Sequence, residues 1–442
     1  MKSLDSNVKL IHDEMLDSQI PDSKWLTLSP AKHREKADIR MTTKESNPFG
    51  QLRSKVENLI DTTLPEIIEI RRDIHRHPEL GFEENRTSDK VASWLESLGI
   101  KVKKGVAGTG VIGVLAGSSS AKTIGLRADM DALPIMESTG VPYASTEQGR
   151  SHACGHDGHT AILLGTAKVL SALRNELRGN VKFIFQPAEE GGAGGERMCK
   201  ERALEEPKVD AIFALHCWPD QSVGEIGVRY GVMLANTDTF EITVLGRGGH
   251  AARPHRVIDP IVMAAKIIEG FQTIISRRIS ALTPAIITVA KIQGGTTHNV
   301  IPDSVSLWGT VRTLDEETRD RIIVAMKRVL ESTAVMFEAP NPRMEIHRGY
   351  PATVNDQEMV KLVEKVAREL VGEVKLINEP SMGGEDFSFY LQKVPGAMFR
   401  LGVSFDKPSP PLHNAGFNFN DDAIRAGILM MTGIVFESLS MP

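Results

Sequence analysis

Between Ser151 and Thr160 the chain reads Ser-His-Ala-Cys-Gly-His-Asp-Gly-His-Thr, which gathers three histidines, one cysteine and one aspartate into eight positions. Imidazole nitrogen, thiolate sulfur and carboxylate oxygen together make the donor set that holds zinc or a similar first-row divalent ion. Cys154 and His156 flank Gly155 in a tight turn just before a helix, so both side chains can reach one centre. A structural zinc would want four closely grouped ligands, commonly as Cys-x-x-Cys pairs, and the chain has no such pair. An incidental polar loop is the other explanation, and the density of ligand types favours a metal over both.

Further chemistry stands at the ends of apolar runs. Arg127-Ala128-Asp129-Met130-Asp131-Ala132-Leu133-Pro134 closes one run, where α/β sheets place their sites, although a solvated turn with a helix cap would read the same. The run Val181 to Gln186 delivers Pro187-Ala188-Glu189-Glu190-Gly191-Gly192. Adjacent glutamates in an irregular turn diverge, so one can ligate a metal while its neighbour faces the substrate as general base. The plainer reading is two surface glutamates. His216 ends the run Ala211 to Leu215, and His413 sits in Pro410-Pro411-Leu412-His413-Asn414-Ala415-Gly416. Each alone is an ordinary hydrogen-bonded histidine; both gain weight as the missing ligands of a site that Cys154, His156 and Glu190 leave incomplete. The glycine-rich turns Gly246 to His255, which carries His250, and Gly294 to Pro302 either present a residue to a ligand or simply link strands.

One motif misleads. Gly108-Thr109-Gly110-Val111-Ile112-Gly113 fits G-x-G-x-x-G, with Asp129 about 20 residues on, as a dinucleotide fold would have it. That fold needs a helix after the glycines. Here they open a short apolar strand that stops at Gly117-Ser118-Ser119-Ser120, so a dehydrogenase is rejected.

The elements that must position these groups alternate. A helix is expected over Val56 to Arg76 and another over Ser88 to Leu98, ending at Gly99. Strands are expected at Val111 to Leu115, Thr123 to Ala128, Val181 to Gln186 and Ala211 to His216, with an amphipathic helix at His159 to Arg174. That rhythm predicts an α/β catalytic domain with a mixed, largely parallel sheet flanked by helices. From Thr239 to His347 the order becomes strand (Thr239 to Leu245), helix (Asp259 to Ile279), strand (Ala285 to Ile292), strand (Ser304 to Arg312), helix (Asp315 to Phe337), strand (Met344 to His347). This is the βαββαβ order of a ferredoxin-like sandwich. A helix from Asp356 to Leu370, with Asn355 as its N-cap, and another near Asp421 to Leu439 then resume the first pattern. The expected division is a polar extension at 1–50, a catalytic domain at 51–236 and 349–442, and an inserted domain at 237–348.

Totals narrow the function classes. At 442 residues, 41% apolar and 25% charged, the chain suits two or three folded cores and is too apolar for disorder. A net charge of −5 with no basic run argues against nucleic acid. Three cysteines in such a length point to a reducing compartment, and the absence of a signal-peptide core or a long uninterrupted apolar stretch points away from membranes. The expected location is the cytoplasm.

Taken together, the motifs resemble the M20 metallopeptidase family from about Leu52 to Leu439, and within it the amidohydrolase subfamily of aminoacylases, hippurate hydrolases and auxin-conjugate hydrolases. His-Ala-Cys-Gly-His-Asp-Gly-His is specific to that subfamily. The resemblance implies two divalent ions per subunit, zinc or manganese with cobalt as a further option, and a ferredoxin-like lid that often mediates dimerisation, hence a homodimer or homotetramer. Carried over to this chain, it makes Cys154 the bridging ligand, His156 and Glu190 ligands of one ion, and His216 and His413 ligands of the other. Glu189 becomes the general base and Asp131 the carboxylate behind the ligands. His250 becomes the lid histidine that stabilises the oxyanion, sometimes across a subunit boundary. Asn299 is the lid contributor to substrate binding, and Gly384 lines the pocket. The substrate implied is a small N-acyl amino acid, with a dipeptidase or carboxypeptidase on the same centre as the alternative and a non-catalytic binding protein as the third reading. Lack of the secretory signal and retention tail of plant relatives favours general N-acyl-amino-acid turnover over hormone-conjugate release.

Overall fold

The computed structural model describes residues 48–119, 122–405 and 409–441. Most of the expected polar extension, with its marginal helix, lies outside the described residues. The first helix starts at Pro48, ahead of the expected Val56. Its early start has a cause in packing: Phe49 is buried against Phe436, with ring centroids 5.7 Å apart, and Leu52 packs on the same core.

Eight strands form one mixed sheet, in the order Lys101–Val106, Gly110–Leu115, Asn180–Gln186, Thr123–Asp129, Ala211–Ser222, Gly396–Ser404, Ile226–Val228, Val374–Leu376. The central pairs are parallel: Thr123–Asp129 lies between Asn180–Gln186 and Ala211–Ser222, and Gly396–Ser404 runs alongside the last of these. Strands covered on both faces need apolar side chains on both, which is why these segments read as continuous apolar runs. The strand Lys101–Val106 escapes that signal because it is a lysine-rich edge with mostly exposed side chains. It pairs antiparallel with Gly110–Leu115, so the glycines at 108 and 110 turn a hairpin and open no helix.

Helices Pro48–Arg76, His156–Ala172, Gln357–Leu370 and Ala423–Ser440 pack on one face of the sheet around the main core. The helix expected to be amphipathic from His159 is instead buried on nearly every side, because it is sandwiched between the sheet and the first and last helices. Gly165 permits that closeness, since a Cβ there would lie 2.4 Å from Ile428. Ala423–Ser440 has the length and apolarity to cross a membrane, but 78% of it is buried in this core. The expected N-cap Asn355 is also corrected: Asp356 caps Gln357–Leu370 by accepting from the Glu358 and Met359 amides, while the Asn355 amide bridges Arg229 O and Met398 O.

Residues 236–348 build a second, four-stranded antiparallel sheet in the order Ala285–Gln293, Ser304–Thr313, Asn236–Leu245, Arg343–Arg348. Helices Pro260–Arg278 and Glu316–Met336 cover one face, enclosing a separate core of Phe240, Ile242, Phe271, Leu307 and Ile322. Asp259 and Asp315 cap those helices. The chain enters and leaves this part through hydrogen-bonded segments, with Thr237 N donating to Tyr350 O at 2.9 Å and Gly349 N to Thr237 O at 2.8 Å.

Candidate metal centre

The donors foreseen in the sequence stand within or just after an apolar strand, or in a turn or helix start held against one. Gly155 adopts φ +80, and a Cβ there would sit 2.5 Å from Cys217 Sγ, so glycine alone lets Cys154 and His156 turn inward together. His216 is carried by the central strand Ala211–Ser222. His413 takes a left-handed backbone at φ 61 and is held by its amide to Ala153 O at 2.8 Å. The outcome is convergence: the ligand atoms of Cys154, His156 and His216, of Cys154, Glu190 and His413, and of His156, Glu189 and Glu190 each lie within 4.8 Å of one another. Cys154 belongs to two of these groups.

The hydrogen bonds behind the donors fix which atoms face inward. His216 Nδ1 is 2.8 Å from Cys217 O and donates to it, leaving Nε2 as a lone pair 3.6 Å from Cys154 Sγ. His156 Nδ1 is 3.2 Å from Asp131 Oδ1, and Asp131 Oδ2 accepts the Glu190 amide at 2.9 Å. Asp131 thus ties two donors from behind and does not line the cleft. His156 Nε2 and Glu190 Oε1 are buried with no hydrogen-bond partner, although Glu190 Oε1 lies 3.0 Å from His413 Nε2. Buried polar atoms left unmatched and aimed at one space fit a bound cation. His159, by contrast, is fully engaged, with Nδ1 at 2.7 Å from Asp129 and Nε2 accepting the Cys217 amide at 2.8 Å. Asp157, in the first turn of the helix, pairs with Arg71 and His75, each at 2.8 Å. His152 is buried with both ring nitrogens unpartnered.

Electrostatics separate the adjacent glutamates. Burial, with Glu385 and Glu190 nearby, raises the Glu189 carboxyl well above its usual range. Glu190 moves the other way: burial opposes ionisation, but His413 and His156 lower its pKa. Burial also disfavours charge on His156, yet Asp129 and Asp131 override it and raise that imidazole to about 10. The field that would hold a proton there would equally hold a metal cation. Burial takes His216 down to about 3, which keeps its ring neutral.

A carboxylate cluster absent from the sequence reading stands behind Glu189. Arg127, fully buried, donates to Asp129 at 2.6 Å, Glu385 at 3.0 Å and Asp386 at 2.9 Å. Burial raises Asp386 to about 8 against the pull of Arg127. Beside Arg127-Ala128-Asp129, its sequence signal is Gly383-Gly384-Glu385-Asp386-Phe387, a glycine pair followed by two acids.

A cleft of about 910 Å³ opens over these groups, and Cys154, Glu189, Glu190, His216 and His413 form its floor. Along Asn236–Leu245, Phe240, Ile242 and Val244 point to their own helices, while Thr237 and Thr239 point to the cleft. Thr310, Arg312 and His347 line it from neighbouring strands, and Trp218, Ile286 and Leu412 add apolar wall. Gly384 stands at its wall; a Cβ there would lie 2.3 Å from Thr237 and 3.5 Å from the Arg312 guanidinium. His250 and Asn299 do not line it. His250 lies in the exposed two-stranded ribbon of Gly249–His250 and Val300–Ile301 and Asn299 in the turn just before it, with Ala252 N donating to His250 Nδ1 at 3.1 Å and Ala251 N to Asn299 O at 3.1 Å.

Comparison with known proteins finds relatives along most of the chain. The family model for peptidase family M20/M25/M40 matches residues 125–437. N-acetyl-L-cysteine deacetylase of Bacillus subtilis is 39% identical over 388 residues, covering 88% of this chain and 89% of its own. Thermostable carboxypeptidase 1 of Saccharolobus solfataricus is 40% identical over 367 residues, covering 82% of this chain and 93% of its own. Among solved structures, the Bacillus subtilis YXEP protein, described as a dinuclear metal-binding peptidase of the M20 family, superposes with a TM-score of 0.76 at 35% identity, covering 86% of this chain and 99% of its own.

Proposed function

We propose, from the premise that this chain belongs to peptidase family M20/M25/M40 and is a hydrolase of amide or peptide bonds, that it cleaves the amide of N-acyl-L-amino acids at a dinuclear metal centre. The observation that carries the reading is the convergence of Cys154, His156, Glu190, His216 and His413, with two buried donor atoms unmatched and Glu189 beside them. On this reading Cys154 would serve both ions, with His156 and His216 completing one set of ligands and Glu190 and His413 the other, a pairing that the spacing of the donor atoms supports over the one the resemblance implies. The mixed sulfur, nitrogen and oxygen set suits zinc or manganese, with cobalt as a substitute.

When bound, the ions supply an acidified water and a polarised amide carbonyl. Glu189 takes a proton from the attacking water at its carboxylate and later returns it to the leaving amine. Asp131 holds His156 and the Glu190 amide in register. Arg312 has no ion pair among the described residues, so its guanidinium is available to the α-carboxylate of the amino-acid half, beside Gly384. Trp218, Ile286 and Leu412 offer apolar surface to the acyl half. His250 and Asn299 complete the site either by lid movement or from a second subunit of a homodimer or homotetramer.

A carboxypeptidase among the relatives supports a second reading, hydrolysis of a peptide's C-terminal bond, which the same Arg312 would serve. A release assay across acetyl, benzoyl and indole-acetyl amino acids and dipeptides, each with zinc, manganese and cobalt, separates the two. N-acyl amino acids are expected to turn over fastest. Faster dipeptide cleavage would select the second reading, and no release from any substrate would defeat both.

A further inference from the structure

We propose that Tyr350 is a positioning residue whose hydroxyl holds the Glu189–Ala193 turn in shape and ties that turn to the segments that connect the two sheets. The inference rests on the roles given above to Glu189 and Glu190.

The turn is strained. Ala188 and Ala193 bracket it at φ 50 and φ 53, a region that side-chain-bearing residues seldom adopt, and Gly191 between them stands at φ 88. Such a backbone persists only where its surroundings over-determine it. Three side chains do so. Glu84 accepts the Ala188 amide at 2.8 Å, Asp131 accepts the Glu190 amide at 2.9 Å, and Tyr350 takes the rest. The Tyr350 hydroxyl accepts from Gly191 N at 2.9 Å and Ala193 N at 3.3 Å, and donates to Glu189 O. One donor and two acceptor sites are all a phenol has, so the hydroxyl is saturated by this turn and has nothing left for substrate.

Tyr350 also stands where the second sheet rejoins the first. Its amide donates to Thr237 Oγ1 at 3.0 Å and its carbonyl accepts from Thr237 N at 2.9 Å, so both connecting segments grip it. Of the three residues holding the turn, it alone belongs to those connecting segments. The hydroxyl that sets the direction of Glu189 and Glu190 is therefore fixed by the segments that join the two sheets.

The test is Tyr350→Phe, assayed at saturating metal. The expected result is a fall in kcat of about tenfold or more, as displacement of a reacting group costs, with KM little changed and bound metal and melting temperature near wild type. Hydrogen exchange at the Gly191 and Ala193 amides should quicken in the same variant. A kcat within twofold of wild type, or unchanged exchange at those amides, overturns the proposal. The exchange measurement needs no turnover, so a wild-type protein that cleaves no amide would defeat the functional reading while this arm still decides whether Tyr350 holds the turn.

Discussion

Replacing Glu189 with glutamine removes the proton acceptor while keeping the side chain's shape. Burial leaves the carboxylate few partners: the Asp386 amide donates to Glu189 Oε1 at 3.4 Å, a contact that the glutamine oxygen can keep. Glu385, Glu190 and Asp386 all push against a charge at this position, so the neutral amide relieves repulsion and should not weaken the fold. General base catalysis contributes roughly 10²–10⁴ in rate, so Glu189→Gln should lower kcat by that factor, about 3–5 kcal/mol of barrier. The assay is steady-state amide hydrolysis beside elemental analysis of the same samples. Bound metal and melting temperature at or above wild type, with kcat down at least a hundredfold, agree with the reasoning. Loss of metal would mean that Glu189 is a ligand and that the two glutamates have been interchanged.

Two further outcomes follow from the same geometry. Arg127→Met leaves Asp129, Glu385 and Asp386 buried without their shared cation, and breaking a buried ion cluster from one side costs roughly 3–5 kcal/mol. Thermal unfolding should show a large drop in midpoint, and a shift of a degree or less would refute it. Arg312→Ala should raise KM for N-acyl amino acids about tenfold or more, by loss of a charge-assisted pair, while leaving hydrolysis of the matching N-acyl amine, which has no carboxylate, unaffected. Equal effects on both substrates would remove Arg312 from carboxylate recognition.

How much could be read beforehand followed from burial. Parallel strands covered on both faces leave continuous apolar runs, so the strand ends could be found, and with them Glu189, Glu190 and His216. The Cys154-Gly155-His156 turn announced itself by residue type. The second sheet was legible because each of its strands and helices carries its own period and cap. What stayed hidden lacks such a pattern. Lys101–Val106 is an exposed edge with lysines in place of an apolar face. Arg127 sits inside an apolar strand, and only the fold shows that Glu385 and Asp386, more than 250 residues away, neutralise it. Tyr350 has no local signature, since its meaning comes from a turn 159 residues upstream. His250 and Asn299 were singled out by resemblance, and no spacing could say that they would lie on or just before a ribbon outside the cleft.

The central claim is a pair of ions held by Cys154, His156, Glu190, His216 and His413 and required for amide hydrolysis. It is tested most directly by stripping the protein with a chelator and titrating manganese or zinc back while following release of an amino acid from its N-acetyl derivative. Activity is predicted to be absent at the start and to rise to a plateau at two equivalents per chain. A plateau at one equivalent, or hydrolysis that survives chelation, would contradict it.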